Sequence, residues 1–403
     1  MSTGSSKATE AVLAPGQERK KAAPRPADQI PKKSPLSNLQ MLDQQALRRK
    51  TIVVAVLLVA VCLFNLCVDR YNGELVTPDV VLGTWALFFQ QLDLGHTGNV
   101  LTPDQVLDVN KHYYSLLNQT AVTAITAICG MLLALAGTLY QNVFRNPIAS
   151  PTMLGVSNGV QVGVLVLVVL FGANAVNMPL ARYLLSYGFI ILTLAALFFF
   201  SKMISGPGRP LNVINMLLVG TIISQLYGVI TTYVTWNVFT DELWEVYNSL
   251  SEAIAVDTEW YAFAFLLVMA VISVTPIVLL RFRLNVLSFP ESDMKGLGVS
   301  ANRLQVVALT CATLMMVAAQ VSVGTVAMIS LVVPHVSRFL FGAEFRKQFI
   351  GNVLLGALVL MVCRCVGPFI PYVGGILPIG TLVSFVVMPA FAWMIATQQR
   401  TWE

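Results

Sequence analysis

The sequence is short of charge, of histidine and of any nucleotide-binding glycine loop, and each shortage excludes something. Asp, Glu, Lys and Arg make up 11% of the 403 residues, where a soluble globular domain carries about 25%. With 56% hydrophobic residues, the chain has too little polar surface to meet water on all sides, so lipid is its solvent. The three histidines are not grouped with acids or cysteines, which leaves no convincing metal-ligand set and no base–nucleophile cluster for an intramembrane enzyme. All six cysteines, at 62, 67, 129, 311, 363 and 365, lie in apolar runs. They read as small packing residues rather than a disulfide framework, and the Cys363–Cys365 pair is a weak metal signal. No GxxxxGK[ST] string occurs, so the chain carries no nucleotide cradle of its own.

What is present is a series of apolar runs near 51–68, 119–141, 155–172, 180–201, 213–235, 260–280, 304–323, 326–340, 349–369 and 379–396. Each is a candidate crossing of a hydrocarbon core that needs about 20 residues of helix. Hydropathy alone joins 304–340, but one helix of that length would be about 55 Å long, far more than a bilayer. Gln320, Ser322 and Gly324 supply a polar break, which makes ten spans. None of the ten contains Asp or Glu, which disfavours a secondary transporter or channel driven by proton or sodium coupling.

Charge placement orients the spans. With a cytoplasmic start, Arg145, Lys202, Arg209, Arg281, Arg283, Arg303, Arg346, Lys347 and Arg400 fall inside. The loop 237–259 falls outside with six acids and no Lys or Arg, as does 69–118 with six acids against Arg70 and Lys111. This is the positive-inside pattern, and both termini are expected in the cytoplasm. Residues 1–50, with ten Lys or Arg against four acids and no periodicity, read as a disordered basic tail. Residues 51–403 form the transmembrane domain.

The string "NPIASPTMLGVSNG" (146–159) then lies at the cytoplasmic side between the second and third spans. Pro147 and Pro151 cannot continue a helix, and Gly155 and Gly159 permit close backbone approach. Irregular backbone at membrane depth survives only where protein or a wet cavity surrounds it. The segment therefore either lines the end of a pathway or is a well-capped turn.

"GTLYQNVFRNPIASPTMLGVSNG" (137–159), "LNVLSFPESDMKGLGVSANR" (284–303), "VGTVAMISLVVPHVSRFLFG" (323–342) and "LPIGTLVSFVVMPAFAWMI" (377–395) resemble, in order, strings of the FecCD family. These are permease subunits of type II ABC importers for ferric siderophores, haem and cobalamin. The resemblance implies an all-α polytopic protein of the bacterial cytoplasmic membrane working as a dimer of permeases, identical or paralogous. It implies two separate ATPases that use ATP and Mg, an extracytoplasmic substrate-binding protein and surrounding lipid, with no nucleic acid and no cofactor on this chain. A ferric siderophore is the expected cargo, with haem and cobalamin as alternatives.

The resemblance assigns ATPase coupling to about 285–300, in particular Phe289, Pro290, Glu291, Ser292, Asp293, Met294, Lys295, Gly296, Leu297 and Gly298. It maps a cytoplasmic gate to Asn146, Ile148, Val213 and Ile214, and a structural motif to Pro334, His335 and Arg338. His335 and Arg338 are expected to hydrogen-bond helix ends. Two departures stand out. The family's "R-x-PR" string is replaced by "YYSLLNQTAV" (113–122), and its "D-x-x-x-R" in the ninth span by Arg364 and Pro368. Arg364 is either a pathway charge for an anionic chelate or a cation that is paired or snorkels outward. The outer acids Asp241, Glu242, Glu245, Glu252, Asp257 and Glu259 either meet basic residues of a binding protein or form a solvated face.

Overall fold

The computed structural model describes residues 35–67, 103–206, 211–252, 260–289, 291–326, 328–370 and 378–399. The outer loop 69–102, Asp257, Glu259, Pro290 and Leu377 lie outside them, as do the side chains of Glu291, Ser292 and Lys295. Twelve α-helices occur among the described residues. They are α1 (Pro35–Leu66), α2 (Pro103–Phe144), α3 (Val156–Phe171), α4 (Pro179–Ser205), α5 (Val213–Asn237) and α6 (Asp241–Glu252). The second half comprises α7 (Trp260–Leu280), α8 (Glu291–Gly296), α9 (Ala301–Val323), α10 (Met328–Phe341), α11 (Phe345–Val366) and α12 (Ile379–Gln399). Among the described residues, eight stretches are long and apolar enough to cross a membrane, and Met328–Phe341 and Ile379–Pro389 are shorter apolar helices.

The chain divides into two units, Met1–Ala46 and Leu47–Glu403. In the first unit, the described residues 35–46 are helical, which corrects the reading of a disordered tail through residue 50. Residues 36–50 contain no Pro or Gly and are rich in Leu, Gln, Arg and Ala, all good helix formers. The outer connections are also more helical than expected: α2 begins at Pro103 and α6 fills most of 237–259. Leu243, Val246, Tyr247 and Leu250 put the apolar side of α6 on a small cluster with Val164, Leu167, Val168 and Ala175. That i, i+3, i+4, i+7 spacing is the signature of an amphipathic helix.

The long run 304–340 breaks at one point. Gly324 ends α9 with a φ of 79°, and α10 resumes at Met328. Gln320 and Ser322, expected to share in the break, stay helical and turn inward. Gln320 Nε2 donates to Ser157 Oγ at 2.8 Å and Ser322 Oγ to the Ala318 carbonyl at 2.9 Å.

In the second unit α2 is central and packs on α9, α10 and α11, while α3, α4 and α5 form a neighbouring layer that touches α9. The apolar windows of α2 and α9 are each 78% buried, against 11% for α1, so α1 lies at the edge of the bundle. Lipid gives apolar helices no hydrophobic reason to associate, so contacts depend on close packing and polar bonds. Glycine supplies the packing. A Cβ on Gly130 would strike the Gly356 carbonyl, one on Gly356 would strike Gly130, and one on Gly137 would strike the Ser330 carbonyl. Pro334 lies inside α10 and brings no N–H of its own to the Ser330 carbonyl one turn earlier; that carbonyl faces Gly137. Buried Asn352 donates to Thr138 Oγ1 across the α2–α11 seam. At the end of α1, Asn65 Nδ2 donates to Thr123 Oγ1 at 2.6 Å, and Gln119 Nε2 donates to the Asn65 carbonyl at 2.7 Å.

Gly356→Val should therefore drive a side chain into the α2 backbone and cost about 1–3 kcal/mol, seen as a lowered unfolding temperature in detergent. Gly188→Ala is the control: its added Cβ meets no atom within 4 Å, so stability should hold or rise slightly.

Candidate coupling segment and gate

The C-terminus of α2 closes as a Schellman turn. Asn146 N donates to the Gln141 carbonyl at 3.2 Å and Arg145 N to the Asn142 carbonyl at 3.4 Å. Asn146 Oδ1 then accepts from Ile148 N at 3.0 Å, and Ala149 N returns to the Asn146 carbonyl at 3.1 Å. Pro151 opens a 3-10 turn, Pro151–Leu154, and Gly155 follows at a φ of 76° before α3 begins. The turn is fixed to α5: a Cβ on Gly220 would overlap Leu154, and Asn158 Nδ2 donates to Ser224 O and Oγ, both at 2.9 Å. Prolines remove donors, asparagines supply acceptors and donors, and several groups of the non-helical backbone find partners within the protein.

The start of α5 repeats the device. Asn212 caps the helix, its Oδ1 accepting from Ile214 N at 2.8 Å. Asn146 and Asn212 thus each spend Oδ1 on the N–H of an isoleucine two residues on. Ile148 is 56% and Ile214 72% exposed, while Val213 is half-buried. Of the four residues the sequence assigns to a gate, the two isoleucines are the projecting apolar ends and Asn146 forms the backbone turn beneath one of them. Asn212 escaped the sequence reading, although an Asn just before an apolar run is an N-cap signal.

The segment assigned to ATPase coupling is two short helical pieces. Leu284–Ser288 is a 3-10 turn, Phe289 is extended, and Glu291–Gly296 is α8. Gly298, at a φ of 71°, follows α8, with Val299 N bonded back to the Met294 carbonyl at 3.1 Å. The inner side is anchored by Leu284, Leu287 and Met294, all fully buried. Asn285 Oδ1 accepts from Phe345 N at 2.8 Å, joining the turn to the start of α11. The outer side presents Phe289 and Leu297, 50% and 61% exposed, together with exposed Asp293, Gly296 and Gly298. Arg145 meets both pieces from α2, through Leu287 O at 3.1 Å and Met294 Sδ at 3.8 Å.

The "PHVSR" motif is arranged otherwise than expected. His335 Nδ1 lies 3.0 Å from the Leu331 carbonyl, one turn earlier in its own helix. A carbonyl only accepts, so Nδ1 carries the proton. Gln141 Nε2 reaches the same carbonyl at 3.0 Å, and Phe391 meets the imidazole edge-on at 5.6 Å between centroids. The motif therefore joins α2, α10 and α12 midway along α10. The end of α10 is met by Lys50, whose Nζ donates to the Leu340 carbonyl at 2.8 Å. A long cationic stem suits a helix C-terminus, and Arg338 is half-buried. Arg364 is 6% exposed, so it lies inside the bundle and does not snorkel outward. All six cysteines are free.

Residues 83–397 match the FecCD transport family. The Fe(3+) dicitrate transport system permease protein FecC of Escherichia coli is 30% identical over 273 residues, covering 67% of this chain and 79% of that protein. The hemin transport system permease protein HmuU of Yersinia pestis is 29% identical over 280 residues, 68% of this chain and 81% of that protein. A solved ABC transporter assigned to the metal-chelate type, in an inward-facing conformation, superposes with a TM-score of 0.66 at 22% identity, over 87% of this chain and 99% of that one. That likeness carries the fold, and the family match spans the α2 end, the coupling segment and the α10 motif. The chain belongs to the FecCD transport family, as a multi-pass permease subunit of an ABC importer in the bacterial cytoplasmic membrane.

Proposed function

We propose that two permeases, this chain with a second copy or a paralogue, enclose a pathway that imports a ferric siderophore, with ATP and Mg consumed by two separate ATPase subunits. In this reading an extracytoplasmic binding protein delivers the chelate to the outer surface. The chain crosses ten times, by eight long apolar helices plus α10 and the apolar half of α12, with both ends in the cytoplasm. The observation that carries the proposal is the two-sided segment 284–298, anchored by buried Leu287 and Met294 while Phe289 and Leu297 face outward. A membrane protein without a nucleotide cradle has use for such an exposed apolar lever when another subunit pushes on it. Residues Glu291, Asp293 and Lys295 of the same segment add a polar rim.

The gate in this reading is Ile148 and Ile214, each held at its root by an asparagine. Apolar constrictions close a pathway by excluding water. Nucleotide binding draws the two coupling segments of the pair together and reverses the sidedness of the pathway. The relatives that transport ferric dicitrate and hemin support an iron chelate, and haem is the runner-up cargo, followed by cobalamin.

The test is coexpression with a FecCD-type ATPase and binding protein, reconstitution in liposomes, and uptake of ferric hydroxamate, ferric citrate, haemin and cobalamin in parallel. ATP-dependent accumulation of one ferric chelate is expected; accumulation without any ATPase would overturn the proposal. Gly298→Pro forces a φ near −65° on a residue at 71°, so membrane insertion should persist while ATPase copurification and uptake are lost. Phe289→Ala should weaken ATPase docking by about 2 kcal/mol, roughly 30-fold in Kd, measured by titrating the ATPase onto permease in nanodiscs.

A further inference from the structure

The Schellman turn at the end of α2 has an unexpected occupant. Its left-handed position is one that glycine adopts freely and a Cβ resists. Arg145 holds it at a φ of 48°, the one non-glycine residue with positive φ among the described residues. A glycine would make the same turn with less strain, so the side chain is what distinguishes this choice. The guanidinium reaches back to the coupling segment. Nε donates to the Leu287 carbonyl at 3.1 Å, and Nη2 lies 3.8 Å from Met294 Sδ.

Those two contacts fall on the two pieces that flank Phe289, and both Leu287 and Met294 are fully buried. In the other direction one peptide bond leads from Arg145 to Asn146, whose Oδ1 holds Ile148 N. A single residue therefore stands between the surface that would receive an ATPase and the turn that carries Ile148. Apolar packing alone lets neighbouring segments slide, whereas a charge-assisted bond to a carbonyl is directional and stronger.

We infer that Arg145 is the positioning residue that locks the coupling segment to the 146–155 turn, so that the two move as one body when ATP is used. The inference rests on the proposed function for its moving parts and adds the link between them.

The test uses the reconstituted complex of permeases, ATPases and binding protein. Arg145→Gly keeps the backbone of the turn and removes only the link. Insertion, ATPase copurification and ATP hydrolysis are expected to persist, while chelate transported per ATP falls by about tenfold, the size of an ordinary coupling free energy. Arg145→Lys, which keeps the charge but lacks the fork needed for both contacts, should fall between. A second measurement leaves Arg145 in place: spin labels at Met153, 43% exposed, and at exposed Arg283, which precedes the Leu284–Ser288 turn and lies outside the face assigned to the ATPase. Their separation within one subunit should stay constant on nucleotide binding, while the Met153-to-Met153 distance across the pair changes.

Wild-type transport per ATP in Arg145→Gly, whether both rates hold or fall together, overturns the link. So does a Met153–Arg283 separation that changes as much as the distance across the pair. A wild-type complex that moves no chelate instead refutes the proposed function, which keeps the two failures apart.

Discussion

The structure depends on α2 running against α10 and α11 at backbone contact. Gly130 and Gly137 have no side chain where Gly356 and the Ser330 carbonyl lie. In a lipid solvent that contact cannot be driven by removing apolar surface from water, because both faces are apolar before and after they meet. Dispersion between close backbones and the buried Asn352–Thr138 bond have to do it. Everything at the Arg145 end of α2 inherits its position from this seam, since α2 ends at Phe144 and the Arg145–Gly155 turn starts there. A shift of α2 by a fraction of a helical turn would move Arg145 and Asn146 with it.

Much of this was legible in the amino-acid string, for a physical reason. Spans are set by length and hydropathy, and lipid enforces both; each apolar run read from the sequence contains a helix in the structure. The split of 304–340 was also legible, though its cause was narrower than expected. Of the three residues expected to make the break, Gly324 ends the helix, while Gln320 and Ser322 find partners without leaving it. The amphipathic pattern of α6 was present in "DELWEVYNSLSE", but a short helix lying across others is masked by reading 237–259 only for its charge. The helix from Pro35 was missed because polar composition was taken for disorder, although helix formation needs neither an apolar face nor burial when the residues are good formers.

At the candidate site, residue types were legible and their partners were not. That Asn146 sits before Pro147 signals a turn; that its Oδ1 serves Ile148 N could have been guessed from the same tendency of asparagine to bond its own backbone two residues on. Sequence gives no comparable signal for Lys50 reaching Leu340, or Arg145 reaching Leu287 and Met294, because those contacts join positions separated by more than a hundred residues. Arg145 entered the sequence reading as evidence of sidedness, and Lys50 as the last residue of the basic tail. The same charges that orient the helices also fasten their ends, so a topological signal and a structural bond are carried by one side chain.

The absence of Asp and Glu from the spans constrains how such a protein can be driven. Coupling to a proton or sodium gradient works through an intramembrane group that binds the ion; the spans of this chain contain no acidic side chain for that role. In the proposed function force enters through shape, from a surface outside the hydrocarbon core. That requires an exposed patch to receive it, a stiff element to carry it and an apolar constriction to respond. In the proposed function exposed Phe289 and Leu297 would be that patch, and exposed Ile148 and Ile214 would be the constriction. The stiff element has to resist both stretching and sliding over the short distance between them. Buried methionine and leucine resist compression but not shear, since dispersion is non-directional. The hydrogen bond from Arg145 to the Leu287 carbonyl is directional, which is why a residue unsuited to its own backbone conformation is worth keeping at that point in the chain.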